Sequence, residues 1–147
     1  MGLATGGVAL APPLGLAVPD KSWHAMRDGF GELGRWLSLV SGSLGKMGMD
    51  ISLMTQQGVE QMRLRGGGAS SAMPRKQNPI LAELLVTLSR CIAVKLGEIH
   101  QALIHEPERS EAAWALEWMI FPAMLHCTAR GLSAAQELLA QVEIIGA

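Results

Sequence analysis

Between Ser22 and about Gly58 the apolar residues Met26, Phe30, Leu33, Leu37, Val40, Leu44, Met47, Ile51 and Met54 recur at alternating spacings of four and three. That is the seam of a heptad-patterned helix. A second row, Gly31, Gly34, Ser38, Ser41, Gly45, Gly48 and Ser52, keeps the same rhythm beside it. Glycine weakens a helix, so a row of small residues points to another helix packed close, backbone against backbone. The pattern predicts a long helix over 22–58, enclosed by others. At about 1.5 Å per residue it would extend roughly 55 Å, against a radius of gyration of about 15 Å for a compact chain of this length. Other chains are therefore expected to cover it in a helical oligomer.

A second helix is expected over 80–104, with Leu81, Leu85, Leu88, Ile92, Leu96, Ile99 and Leu103 on one face. Asn78 suits its N-cap and Pro79 its first turn. A third is expected over 110–143, bent at Pro122. Residues 1–21 read as an irregular lead-in and 59–79 as a loop. No stretch alternates with period two, so the expectation is an all-α fold, a long-helix bundle forming one domain over 1–147.

Composition narrows the function. The 147 residues carry 12 Lys+Arg against 13 Asp+Glu, so no basic excess suggests nucleic acid. Cys91 and Cys127 lie in apolar helical runs and read as reduced core residues. The four histidines show no HExxH pattern, and no metal site is expected. The apolar N-terminus lacks a cation before Lys21 and is broken by Pro12 and Pro13, unlike a signal peptide. "AAWALEWMIFPAML" carries Glu117 and Pro122 and is too short to span a bilayer. A cytoplasmic protein without a membrane partner is expected.

The chain departs from helical spacing at "GGGASSAMPRKQNP", residues 66–79. The glycines let backbone N–H groups converge on an anion, and the stretch ends at a helix N-terminus, where the dipole favours one. Lys76 adds a full charge, while Ser70 and Ser71 offer hydroxyls for binding or proton transfer. The stretch reads as a lid for an anionic substrate. "GSLGKMG" at 42–48 lacks the GxxxxGK[ST] spacing of a phosphate-binding loop.

"SSAMPRKQNP" resembles the signature loop of the fumarase/aspartase superfamily, with Ser-Ser, Met-Pro, Lys and Asn-Pro at matching offsets. One departure is Ala69, where that pattern usually has Gly. The resemblance implies an all-α homotetramer around a central helix bundle, agreeing with the two rows of the long helix. It implies that Ser70 is the catalytic base, that Ser71, Lys76 and Asn78 bind substrate carboxylates, and that neither metal nor organic cofactor takes part. "LGLAVPDKSWHAMRD" and "HEPERSEAAWALEW" further resemble the family of bacterial 3-carboxy-cis,cis-muconate cycloisomerases. That likeness implies a small polycarboxylate as substrate; Arg109 matches an arginine that meets the substrate in the related adenylosuccinate lyases, and His24 and Trp23, within the first of these segments, are further substrate-binding candidates.

The adenylosuccinate lyases share the loop and stand as the alternative. Where they place a serine and an arginine for a nucleotide phosphate, this sequence has Trp114 and Trp118, and Trp23 stands for a substrate-binding Gln. Those exchanges favour a small polycarboxylate. His24 and His105 fit packing or capping as well as substrate contact. Superfamily sites are built from three segments of three subunits, and the two earlier segments find no match here. A catalytically incomplete helical assembly module is therefore a further reading.

Overall fold

The computed structural model describes residues 11–18, 24–66, 68–69, 77–105 and 111–146. Three helices form the body: α1 (Asp28–Met54), α2 (Ile80–Gln101) and α3 (Glu111–Ala140). A single 3₁₀ turn, Pro12–Leu14, precedes them. Among the described residues four short strands accompany the helices: β1 (Met62–Leu64), β2 (Gly68–Ala69), β3 (Gln77–Asn78) and β4 (Val142–Ile145).

α1 starts at Asp28, where the expectation was Ser22, and stops at Met54, where it was Gly58. Its 27 residues rise about 40 Å. Arg27 occupies the N-cap without a side-chain cap, and Asp28 sets a carboxylate in the first turn, where the helix dipole favours one. α3 runs unbroken through Pro122, whose missing N–H withdraws one helical donor.

The row of small residues is the face of α1 that packs within the chain. Gly31, Gly34, Ser41, Gly45 and Gly48 are buried together with Leu37 and Ile51. α2 lies antiparallel across them: Gly31 meets Leu103, Gly34 meets Ile99, Gly45 meets Ser89 and Gly48 meets Ala82. A Cβ on Gly48 would stand 2.5 Å from the Ala82 carbonyl oxygen, and one on Gly45 would stand 2.3 Å from Ser89 Oγ. Side chains larger than hydrogen would push the helices apart, which is why this face is glycine.

α2 presents the face expected of it, with Leu85, Ile92 and Ile99 almost wholly buried. α3 packs antiparallel to α2 and parallel to α1, placing Gly131 against Leu44 and Leu88. One apolar cluster gathers Ile51, Leu64, Leu85, Ala134 and Leu138, and another gathers Leu37, Ile92, Ile99, Ile120, Phe121 and Met124. Burying one such large side chain stabilises by about 1.5–3 kcal/mol. Between α1 and α3, Ser41 Oγ and Thr128 Oγ1 lie 3.4 Å apart, and Thr128 also donates to the Met124 carbonyl.

The strands are a departure from the all-helical reading in detail, though not in class. β1 and β4 pair antiparallel, Met62 opposite Ile145 and Arg63 opposite Ile144. β2 and β3 pair Gly68 with Asn78 and Ala69 with Gln77. Both ladders sit at the end of the bundle where α1 stops, α2 starts and α3 stops.

Candidate active site

Of the residues expected to bind or turn over substrate, Ser70, Ser71, Lys76, Trp23 and Arg109 lie outside the described residues. Asn78 and His24 are described, and they stand far apart. Asn78 is half-buried and sits opposite Gly68 in the β2–β3 ladder. The N-cap of α2 is Pro79, one residue later than expected, because Asn78 still belongs to a strand. That ladder brings the two sides of the signature loop together, with Gly68 and Ala69 on one side and Gln77 and Asn78 on the other.

His24 occupies the opposite end. Its ring lies 6.3 Å from that of Trp114 in the first turns of α3, tilted by 34°. The 22 residues of α2 separate the two ends by about 33 Å. A single chain therefore does not bring Asn78 and His24 into one site. Trp118 is 77 % exposed and belongs to no core within the chain.

The His24 end contains a charged cluster that sequence reasoning missed. Arg27 grips the Glu117 carboxylate with two donors: Nε reaches Oε1 at 2.7 Å, and Nη2 bonds Oε2. Both side chains are about nine-tenths buried. The Arg27 guanidinium lies 3.9 Å above the Phe30 ring, which meets Phe121 edge-on at 5.2 Å. Such a fork-on-carboxylate pair is the strong form of an ionic hydrogen bond, and the aromatic face adds a cation–π contact. His105, its side chain wholly buried, places Nε2 3.5 Å from Glu117 Oε1. That is ion-pair distance without hydrogen-bonding geometry, and neither ring nitrogen has a hydrogen-bond partner.

One signal for this cluster was present in the sequence. Glu117 shares a helical face with Ala113, Ile120, Phe121 and Met124, and a carboxylate at a core position requires a buried cation. The partner, Arg27, is 90 residues away, beyond the reach of local spacing. An open groove of about 380 Å³ at this end is lined by Met26, Asp28, Gly29, Phe30 and Leu33. Apolar walls with an aspartate do not suit a polycarboxylate, so the groove is not assigned to substrate. Among the described residues no group of three His, Cys, Asp or Glu side chains is placed to hold a metal ion, and no helix is long and apolar enough to cross a membrane.

The fold and the loop define a class, and comparison with known proteins agrees. A family model described as "Lyase" matches residues 11–94, more than half of the chain, and the chain belongs to that family, within the fumarase/aspartase superfamily. A 3-carboxy-cis,cis-muconate cycloisomerase of Pseudomonas aeruginosa is 37% identical over 139 residues, 92% of this chain and 30% of its own length. The enzyme of that name from Acinetobacter baylyi is 32% identical, over 92% of this chain and 31% of its own length. The crystal structure of 3-carboxy-cis,cis-muconate lactonizing enzyme from Pseudomonas putida superposes with a TM-score of 0.83 at 34% identity, covering 94% of this chain and 30% of that one. A nitrosuccinate lyase also matches, at 31% identity. The chain thus spans about a third of the length of these relatives.

Proposed function

We propose that this chain is the central helical part of a cytoplasmic cycloisomerase that interconverts 3-carboxy-cis,cis-muconate and a carboxymuconolactone in aromatic catabolism. The likeness to enzymes of that name, at 37% and 32% identity along 92% of the chain, supports the substrate. In the reaction a substrate carboxylate adds across a double bond, and a proton is placed on the carbon beside another carboxylate. Negative charge spreads onto that carboxylate, and fixed cations and N–H groups lower its energy. Ser70 moves the proton, while Ser71, Lys76, Asn78 and Arg109 hold carboxylates, with Trp23 and His24 beside them.

The observation that carries the assembly is the separation of Asn78 from His24 by the length of α2. A site using both takes them from different copies, as a homotetramer would supply. Leu33, Trp36, Leu39, Met49 and Leu53 leave a broad apolar face of α1 exposed for such a neighbour.

The test is the loss of ultraviolet absorbance of 3-carboxy-cis,cis-muconate with this chain, beside Ser70→Ala, after light scattering has established the oligomer. Loss that depends on Ser70 supports the cycloisomerase. Equal loss in both proteins removes Ser70 from the mechanism. A folded oligomer that leaves the substrate untouched marks the chain as a helical module needing further segments, and a monodisperse monomer overturns the shared site.

A further inference from the structure

The two cysteines are neighbours across a helix pair. Cys91 lies on α2 and Cys127 on the antiparallel α3. Leu88 packs against Gly131, and Cys91 is three residues on from Leu88 while Cys127 is four back from Gly131. In antiparallel helices those steps arrive at the same level on the facing sides. The Cys127 thiol accordingly has Cys91 as a neighbour close enough to act on it. Their exposure differs. Cys91 is exposed and Cys127 half-buried, packed against the cluster that includes Ile92 and Met124. The expectation that both are core residues is thus corrected for Cys91, which lies on the outer edge of the α2 stripe.

We propose that Cys91 and Cys127 form a redox-active dithiol site at which a hydroperoxide closes an intrachain disulfide between α2 and α3. The exposed Cys91 meets the oxidant first. Its sulfur attacks one peroxide oxygen, the O–O bond breaks, and the thiol proton leaves with the departing oxygen as water, giving a sulfenic acid on Cys91. The Cys127 sulfur then attacks the Cys91 sulfur, the S–O bond breaks, and the hydroxyl departs with the Cys127 proton as a second water. Two thiols and one hydrogen peroxide thereby become one disulfide and two waters.

The division of labour follows from the surroundings. Burial pushes the Cys127 thiol above its ordinary value, the neighbouring Cys91 adds to that rise, and Lys95 opposes it. Cys127 is therefore the slower to meet a solvent-borne oxidant and is suited to the second step. A disulfide needs Cα atoms within about 7 Å. The disulfide therefore forms only if α2 and α3 come that close at the level of Cys91 and Cys127.

The experiment treats the native chain with hydrogen peroxide, alkylates the remaining thiols, and reads intact mass and peptide maps. The wild type is expected to lose the mass of two hydrogens, take no alkyl label, yield a Cys91–Cys127 peptide pair within one chain, and revert with dithiothreitol. Cys91→Ser is expected to leave Cys127 open to the label after denaturation. Cys127→Ala is expected to carry Cys91 on to sulfinic acid. The proposal is overturned if wild-type Cys91 reaches sulfinic acid while Cys127 stays reduced, or if disulfides form only between chains. It is equally overturned if both thiols survive a peroxide dose that oxidises free glutathione. Cys91 is exposed, so its replacement leaves the fold intact and the comparison readable.

Discussion

The two ends of the bundle are tied by different means. At the His24 end a buried guanidinium and carboxylate, 90 residues apart in the chain, join the start of α1 to α3. At the Asn78 end the charge pair that spans the fold, Arg65 with Glu143 at 3.0 Å, lies exposed. There the chain is held by backbone ladders, by Leu64 under the β1–β4 pair, and by glycines that bring α1 onto α2. A charge pair resists local change, because removing one partner strands the other in an apolar setting. A ladder with a glycine contact depends instead on shape. The end that carries the signature loop is thus fixed through backbone pairing and close helix packing.

The contrast is broken most forcefully at Glu117. Glu117→Ala leaves Arg27 buried without its counter-charge and is expected to cost about 3–5 kcal/mol in urea unfolding. Joint replacement by Arg27→Met and Glu117→Leu is expected to restore most of that loss. A single-mutant cost below about 1 kcal/mol, the range of exposed pairs, would show that the cluster does not secure this end.

At the other end Leu64→Ala, which opens a cavity beneath the β1–β4 ladder, is expected to cost about 2–4 kcal/mol. Hydrogen exchange should then rise in β1 and β4 while α1 near Arg27 keeps its protection. If protection falls equally at both ends, they are one cooperative unit and the distinction fails.

Gly48→Ala sharpens the shape argument. Its Cβ would stand 2.5 Å from a backbone oxygen that cannot swing away, and overpacking of this kind costs about 1–3 kcal/mol. Gly97, exposed on α2, has nothing within 4 Å of such a Cβ. Gly97→Ala is therefore expected to raise stability by up to about 1 kcal/mol, so thermal melts of the two variants should move in opposite directions.

The smallest effect concerns Glu137, on the exposed side of α3. Hydrogen bonds from Arg130, and then from Ser133, hold its carboxyl below the ordinary glutamate value. A depressed value means that the contribution is present above the ordinary value and fades as pH falls through the lowered one. Arg130→Met is expected to return the Glu137 titration, followed by carbon NMR, toward its ordinary position while leaving both ends of the bundle unchanged.

The helix faces were legible because each is a local repeat. Leu85, Ile92 and Ile99 follow from spacing alone, and the small-residue row of α1 announced a close neighbour before any neighbour was known. The strands were not legible. β1 has three residues, and β2 and β3 have two each, too few for a period of two to register. The Asn78–Pro79 cap slipped by one residue because Asn78 is claimed by a ladder with Gly68, a contact that no propensity encodes. Glu117 was taken only as a charge that spoils a membrane span, since nothing near it in the chain names Arg27 as its partner. The spacing of Asn78 and His24 likewise gave no hint that α2 would hold them at opposite ends.

The β1–β4 ladder also bears on the order of folding. It pairs Met62 with Ile145, so its ends meet only after the whole of α2 and α3 has been gathered between them. The α2–α3 hairpin needs no such distant search. Closing a long segment costs entropy before its contacts repay it, which places the ladder late on the folding route. Destabilising changes in β4 are then expected to hasten unfolding while leaving the folding rate nearly constant, so the bundle forms first and the β1–β4 frame beside the signature loop is completed last.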